Sequence, residues 1–385
     1  MEGGTVTTDE AGAHGVYAGT TESGDATAQM KEGTVTTGGE GAHGIWAVSV
    51  GGRAIAELDG GAEVTALGVD SDGIYAEGGA GFDVDVAGSV TGGAGTGAAI
   101  RTISSAGGTI DVASGANVTA GKSGLAIQDG DGDAVVTLEG TITGDIILGA
   151  GGDTLELKDG SVTGRIDGGA GHDHLTLSGQ TMTTTVYNLI NWERVTLDTA
   201  LSINAGSVFH ATGGQGGMTI VGDVNNQSDV VFSVQDGVAG DEITIEGNYT
   251  GSEANSNIFV LETDGANTDR LVITGDASGE MMLSLASLGS GSAVGAPLEL
   301  NLVSVGGASN DATFTLIGNH ITPDGEGAII SGVYLYTLAE AADGRSWALS
   351  ARSESGEVTY QPSAPIYDSY GASLLAFNAP SGLYA

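Results

Sequence analysis

Apolar and polar residues alternate in short runs along this chain, and the runs recur at fixed intervals. Leu155-Glu156-Leu157 and Leu175-Thr176-Leu177 are two of them, spaced by 20. Alternation sends leucine to one side and Glu or Thr to the other, the signature of a half-buried strand. From about residue 133 this register is regular. Val135, Leu155, Leu175 and Val195 form one column, and Thr137, Leu157, Leu177 and Leu197 a second. Ile142, Val162 and Met182 form a third, and Ile146, Ile166 and Val186 a fourth. Glycines keep the same step, as in Gly140 with Gly160, Gly144 with Gly164 and Gly149 with Gly169.

A longer step, of 29, governs the N-terminal part. Gly4-Thr5-Val6-Thr7-Thr8 and Ala13-His14-Gly15-Val16-Tyr17-Ala18 return as Gly33-Thr34-Val35-Thr36-Thr37 and Ala42-His43-Gly44-Ile45-Trp46-Ala47. A third copy ends in Asp72-Gly73-Ile74-Tyr75-Ala76. Fixed periods in this range mean stacked supersecondary units. A unit of about 20 residues with short strands and Gly-rich turns is one coil of a parallel β-helix. The longer N-terminal units are read as the same coils with longer turns. The expected fold is therefore all-β, a β-solenoid with ladders of like side chains inside.

Three segments are expected. Residues 1–215 carry the repetitive coils. Residues 216–352 hold longer strands, such as Val230-Val231-Phe232-Ser233-Val234 and Ile258-Phe259-Val260-Leu261, and form a C-terminal cap. Gly332 to Leu338 and Ser346 to Leu349 flank Asp343-Gly344 and read as a hairpin-like pair. Tyr334, Tyr336, Leu338, Trp347 and Leu349 are its expected core. A solenoid end must be covered, because an open strand edge recruits other chains. Residues 353–385 contain Pro362 and Pro365, which break the strand pattern, and a candidate short helix from Ser369 to Asn378. Met1-Glu2-Gly3 is no signal peptide and the chain opens inside a repeat, so further coils are expected upstream.

The C-terminal segment carries a resemblance. Ile245-Glu246-Gly247-Asn248-Tyr249-Thr250-Gly251 is followed by Thr268-Asp269-Arg270-Leu271-Val272-Ile273-Thr274-Gly275-Asp276. Then come Tyr334-Leu335-Tyr336-Thr337-Leu338, Gly344-Arg345-Ser346-Trp347-Ala348-Leu349, and lastly Tyr360-Gln361-Pro362 with Ala364-Pro365-Ile366-Tyr367 as one piece. No piece is specific alone, but the five in this order resemble the end of the secreted passenger in pertactin-type autotransporters. The resemblance covers about residues 216–380. It implies a right-handed parallel β-helix displayed on a Gram-negative surface and anchored through the outer membrane. It also implies a C-terminal autochaperone region and, in the full-length protein, an outer-membrane β-barrel translocator.

Composition narrows the function. The chain holds 69 Gly against 5 Pro, so it is not a disordered Pro/Gly tract. Ten Lys and Arg against 49 Asp and Glu give a net charge of −39. That excludes nucleic acid, whose backbone needs clustered cations, and anionic lipid. No cysteine occurs, so nothing is stapled by disulfides. No apolar run has the length of a membrane-spanning helix.

Several clusters are candidates for chemistry. Gly168-Gly169-Ala170-Gly171-His172-Asp173-His174-Leu175 fits a calcium nonapeptide, and Leu148 to Leu155 nearly does. Calcium rolls need such copies nine residues apart, and these are 20 apart. Asp153 and Asp173 are therefore read as turn caps, with calcium the alternative. Asp129-Gly130-Asp131-Gly132-Asp133 resembles part of an EF-hand loop without its closing Glu. His14 and His43 occupy equivalent positions and are read as turn residues copied with the repeat. In the column Tyr17, Trp46, Tyr75, the rings alternate with Val16, Ile45 and Ile74, so one set must be inside. The aromatic set is expected to be the inner one. Facing outward, it would instead be a ladder able to stack on sugars or a partner protein. Thr5/Thr7, Thr34/Thr36 and Thr141/Thr143 read as too sporadic for an ice-binding face.

No Gly-x-Ser-x-Gly elbow or Gly-Asp-Ser-Gly occurs, and carboxylate pairs mean little among 49 acids. The expected function is an adhesin or display stalk binding host or surface glycan or protein along the β-helix. Self-association between cells is the alternative, and a β-helix hydrolase or lyase with an unrecognised catalytic part is the third. No cofactor is expected.

Overall fold

A computed structural model of the chain describes residues 1–178, 188–197, 201–203, 207–210, 217–226, 229–251, 257–264, 267–286, 299–352, 356–363 and 370. Every element with described bounds is a strand. Coil by coil the chain visits three faces. The first coil uses Thr5–Thr8, Val16–Thr20 and Ala26–Met30, and the second Gly33–Thr37, Ile45–Ser49 and Ala54–Leu58. Each strand pairs in parallel with its counterpart one coil on, which builds sheets we term A, B and C. Among the described residues, A has seven strands and B and C sixteen each. The parallel β-solenoid expected from the repeats is what forms.

Alternation decides what is inside. On sheet A the inner column runs Val6, Val35, Val64, Val90, Val118, Ile142, Val162. Full burial of such a side chain stabilises by roughly 1.5–3 kcal/mol. The outer neighbours form an unbroken column of Thr7, Thr36, Thr65, Thr91, Thr119, Thr143 and Thr163. The sequence step along it shortens from the N-terminal pair, Thr7 and Thr36, to the last pair, Thr143 and Thr163. Extra residues are thus absorbed in the turns while the ladder stays in register.

Three predicted columns are wrong by one residue or more. Leu155 pairs with Val136, not Val135, and Leu157 with Leu138, not Thr137. The step into that coil is 19 rather than 20, as between Ala134 and Asp153, and on a strand a slip of one exchanges inside for outside. Val136 and Leu138 are buried, whereas Val135 is 49% exposed. Ile166 is followed in its column by Leu189 rather than Val186. Met182 and Val186, like the candidate helix Ser369 to Asn378 apart from Tyr370, lie outside the described residues.

Toward the C-terminus the core widens. Phe209, Phe232 and Phe259 stack inside sheet B with ring centroids 4.9 and 5.0 Å apart. The nine-residue strand Ala277–Leu285 pairs with both Tyr249–Thr250 and Asn257–Leu261, joining two ladders into one. Sheet C then turns antiparallel. Glu299–Val305 pairs with Ser346–Ser350, which pairs with Tyr334–Glu340 as the predicted hairpin, with Leu338 opposite Leu349. Gly327–Ser331 and His320–Ile321 follow. Tyr336, Trp347 and Leu349 are buried, and Tyr334 and Leu338 pack against them from partly exposed positions. Trp347 meets Phe314 at 4.3 Å, and Tyr334 stacks on Tyr360 at 5.8 Å.

Candidate functional site

The Ala-His-Gly copies build a ladder on the outside of sheet B. Gly15, Gly44 and Gly73 are fixed by crowding: a Cβ at Gly15 would collide with Val35 and the Gly44 carbonyl, and Gly44 and Gly73 repeat this one coil on. The histidine before each of the first two glycines reaches across to the next coil. His14 Nδ1 accepts the N–H of His43 at 3.1 Å, and His43 Nδ1 accepts the N–H of Asp72 at 3.0 Å. Asp72 continues the line, accepting the Ala98 N–H at 2.7 Å and the Arg101 Nε–H at 3.0 Å. Asp72 Oδ2 also lies 3.1 Å from His43 Nδ1. A ring nitrogen that accepts a backbone N–H has no proton to share with a carboxylate, so that contact is not an ion pair. The histidines are turn residues, and each caps a backbone donor of the following coil.

The aromatic column faces outward, which corrects the inward expectation. Ile45 and Ile74 take the core at 0% exposure, leaving Tyr17 60% exposed and Trp46 and Tyr75 half-buried. Only one of the two alternating sets can face inward, and the β-branched set packs well against its own copies one coil on. Outside, the rings interlock. His14 and His43 stack at 5.2 Å, His43 and Tyr75 at 4.7 Å, and Trp46 sits 4.0 Å from His14 and 5.0 Å from Tyr17. The next register position holds Arg101, tied to Asp72, which ends the ladder. Tyr75 donates to Glu77 at 2.8 Å, and burial together with that carboxylate raises its phenol pKa. The missed clue was Asp72, which stands one full repeat after His43 and marks the column as one of acceptors rather than of imidazoles.

Acids cap other corners. Asp153 accepts the Ala134 N–H at 2.7 Å, Asp173 accepts that of Asp153 at 2.8 Å, and Glu193 accepts that of Asp173 at 2.7 Å. Asp133 accepts the Gly152 N–H at 2.8 Å, and Asp129 takes the Thr102 hydroxyl. Among the described residues no three His or carboxylate groups gather as a metal cluster, so Asp129, Asp131, Asp133, Asp153 and Asp173 are not brought together as calcium ligands. His174 Nε2 lies 2.8 Å from the Thr196 hydroxyl. On sheet C, Glu57, Asp85 and Asp111 stand in one outward register column and line an open groove of about 320 Å³. Burial, then Asp83, Asp111 and Glu57, raise the pKa of Asp85.

The two kinds of corner respond oppositely to pH. Burial, with His43 beside it, lowers the His14 pKa to about 4. Its contribution is complete above the ordinary imidazole pKa near 6.5 and is lost as pH falls toward 4, because only the unfolded chain takes up the proton. Burial, partly offset by the N–H bonds, raises Asp153 to about 6 and Asp173 to about 7. Their contribution is complete below the ordinary carboxyl pKa and is lost as pH rises through 6 to 7. Moving from pH 7.5 to 5 is therefore expected to loosen the first coil and tighten the coils around Asp153 and Asp173. Amide hydrogen exchange, corrected for its intrinsic pH dependence, checks this; the same direction of change in both regions contradicts it.

Comparison with known proteins bears on the cap. Residues 211–338 match the family described as Autochaperone Domain Type 1. The Adhesin BmaC autotransporter of Brucella suis biovar 1 (strain 1330) is 35% identical over 151 residues, 35% of this chain and 4% of the relative. The C-terminal part of the chain is thus similar to the autochaperone region of autotransporters. The Probable autotransporter YfaL of Escherichia coli (strain K12) is 32% identical over 157 residues, 39% of this chain and 11% of the relative. A third relative, the Uncharacterized protein YuaQ of the same strain, is 30% identical over 141 residues, 36% of this chain and 9% of the relative. The matched parts of the chain thus span only 4 to 11% of these curated relatives.

Proposed function

We propose that this chain is an adhesive, non-enzymatic surface passenger and that the ladder of His14, Tyr17, His43, Trp46 and Tyr75 is its contact face. The carrying observation is the outward aromatic column: large rings held by interlocking on a rigid sheet, with Tyr17 60% exposed. Tyr and Trp on a fixed scaffold give much contact area at little entropic cost. A chain of net charge −39 repels polyanions, so the ligands that suit the face are neutral sugars or apolar and basic protein side chains. The adhesin name of one relative points the same way. We further propose that the hairpin around Trp347 is the folding cap, and that an outer-membrane β-barrel translocator serves the full-length protein.

The test is an array of neutral glycans and extracellular-matrix proteins probed with the wild type and with Tyr17→Ala plus Trp46→Ala. Wild-type binding that falls at least tenfold in the variant, with unchanged melting of the C-terminal coils, is the expected result. Equal binding by both, or no binding by either, removes the ladder as the contact face.

A further inference from the structure

We propose that the outer face of sheet A is an ice-binding surface, a function separate from the ladder on sheet B. Along the sequence, the threonines look sporadic because the coil length changes. In the fold they do not: one column is threonine in all seven strands, without a register shift. The column two residues earlier holds a hydroxyl at five of seven positions, Thr5, Thr34, Ser89, Thr141 and Ser161. The other two are Glu63 and Asn117. All seven threonines of the unbroken column are at least partly exposed. Among the described contacts only Thr163 donates its hydroxyl to a protein group, the Ile142 carbonyl at 3.4 Å.

Physical chemistry selects the occupant. Parallel strands repeat at about 4.8 Å and alternate residues along a strand at about 6.7 Å, so the face is a two-dimensional lattice roughly 29 Å long. Water oxygens on the prism faces of hexagonal ice repeat at similar distances in the two directions. Threonine presents both a methyl that lowers the local mobility of water and a hydroxyl that joins its hydrogen bonding. Saccharides and proteins are gripped by aromatic rings and charges. This face has no ring and one charge, Glu63, in a chain with 49 acids. Carboxylates bind water strongly in arrangements unlike ice, and here they are kept to other faces and corners.

The experiment uses the full chain and measures ice recrystallisation and thermal hysteresis. The wild type is expected to hold ice grains small, Thr65→Tyr with Thr119→Tyr to abolish the effect, and Glu63→Thr to strengthen it. Glu57→Gln on sheet C is expected to change nothing. Grains that coarsen as in buffer alone overturn the proposal, as does activity that survives the double variant. Wild-type protein that ignores ice but sediments with crystalline cellulose overturns it in favour of a glycan. Should the double variant lose its strand signal in circular dichroism, Glu63→Thr decides: a stronger effect supports the face, and an equal or weaker one overturns it.

Discussion

Trp347→Ala is expected to destabilise the C-terminal end by about 3–5 kcal/mol and to slow refolding of the whole chain. Trp347 is 6% exposed, packs on Phe314 at 4.3 Å and stands opposite Val303 and Glu340 in two antiparallel pairings. Removing the indole leaves a cavity where two sheets and the covering hairpin meet. Val64 is also buried but has only its own column and neighbouring faces around it. Val64→Ala is expected to cost about 2 kcal/mol and to act locally. The contrast follows from solenoid energetics, in which each coil depends on its neighbours and the first stable unit carries the nucleation cost. In the proposed assignment the cap is that unit, because its hairpins close short loops, whereas every coil closes a loop of about 20 residues or more. Stopped-flow fluorescence and denaturant melts check both variants; equal refolding rates contradict the assignment of the cap.

Gly107→Val is expected to split the stack in its middle, at a cost of about 3–5 kcal/mol. Gly107 turns the corner between sheets B and C with φ of 70°, in the left-handed region, and a Cβ there would overlap the Asp133 carbonyl of the next coil. Its own carbonyl accepts the Phe82 N–H of the preceding coil at 3.2 Å. One residue thus sits between coils on both sides. Gly115, with φ of 84° and nothing within 4 Å of a built Cβ, separates the two costs. Gly115→Val carries the backbone strain alone, about 1–3 kcal/mol. Limited proteolysis is expected to cut Gly107→Val near residues 104–108 and to spare Gly115→Val; equal resistance of Gly107→Val and wild type contradicts the crowding.

Much of this fold was legible because its unit is local. The Val and Leu alternations, the glycine step and the N-terminal copies name a parallel solenoid, and Asp343-Gly344 between two aromatic strands names the hairpin. The register errors share one physical origin. Sequence spacing measures turns and strands together, whereas the ladder registers strands alone. A step shorter by one moved Val135 outside and Val136 inside, and variable turns hid the seven threonines. The aromatic column failed differently: alternation says that one set is inside but not which, and the core took Ile45 and Ile74 in preference to Trp46 and Tyr75. Asp153 and Asp173 were legible as turn caps and His14 and His43 as turn residues, but the acceptor role of the histidines emerged only once one coil lay on the next.

Pulse-labelled hydrogen exchange during refolding tests the cap-first order of assembly most directly. Amides of Glu299–Val305, Tyr334–Glu340 and Ser346–Ser350 are expected to gain protection first, and those of Thr5–Thr8 through Phe82–Val86 last. Protection of the N-terminal coils before the hairpin, or of both at one rate, would contradict it.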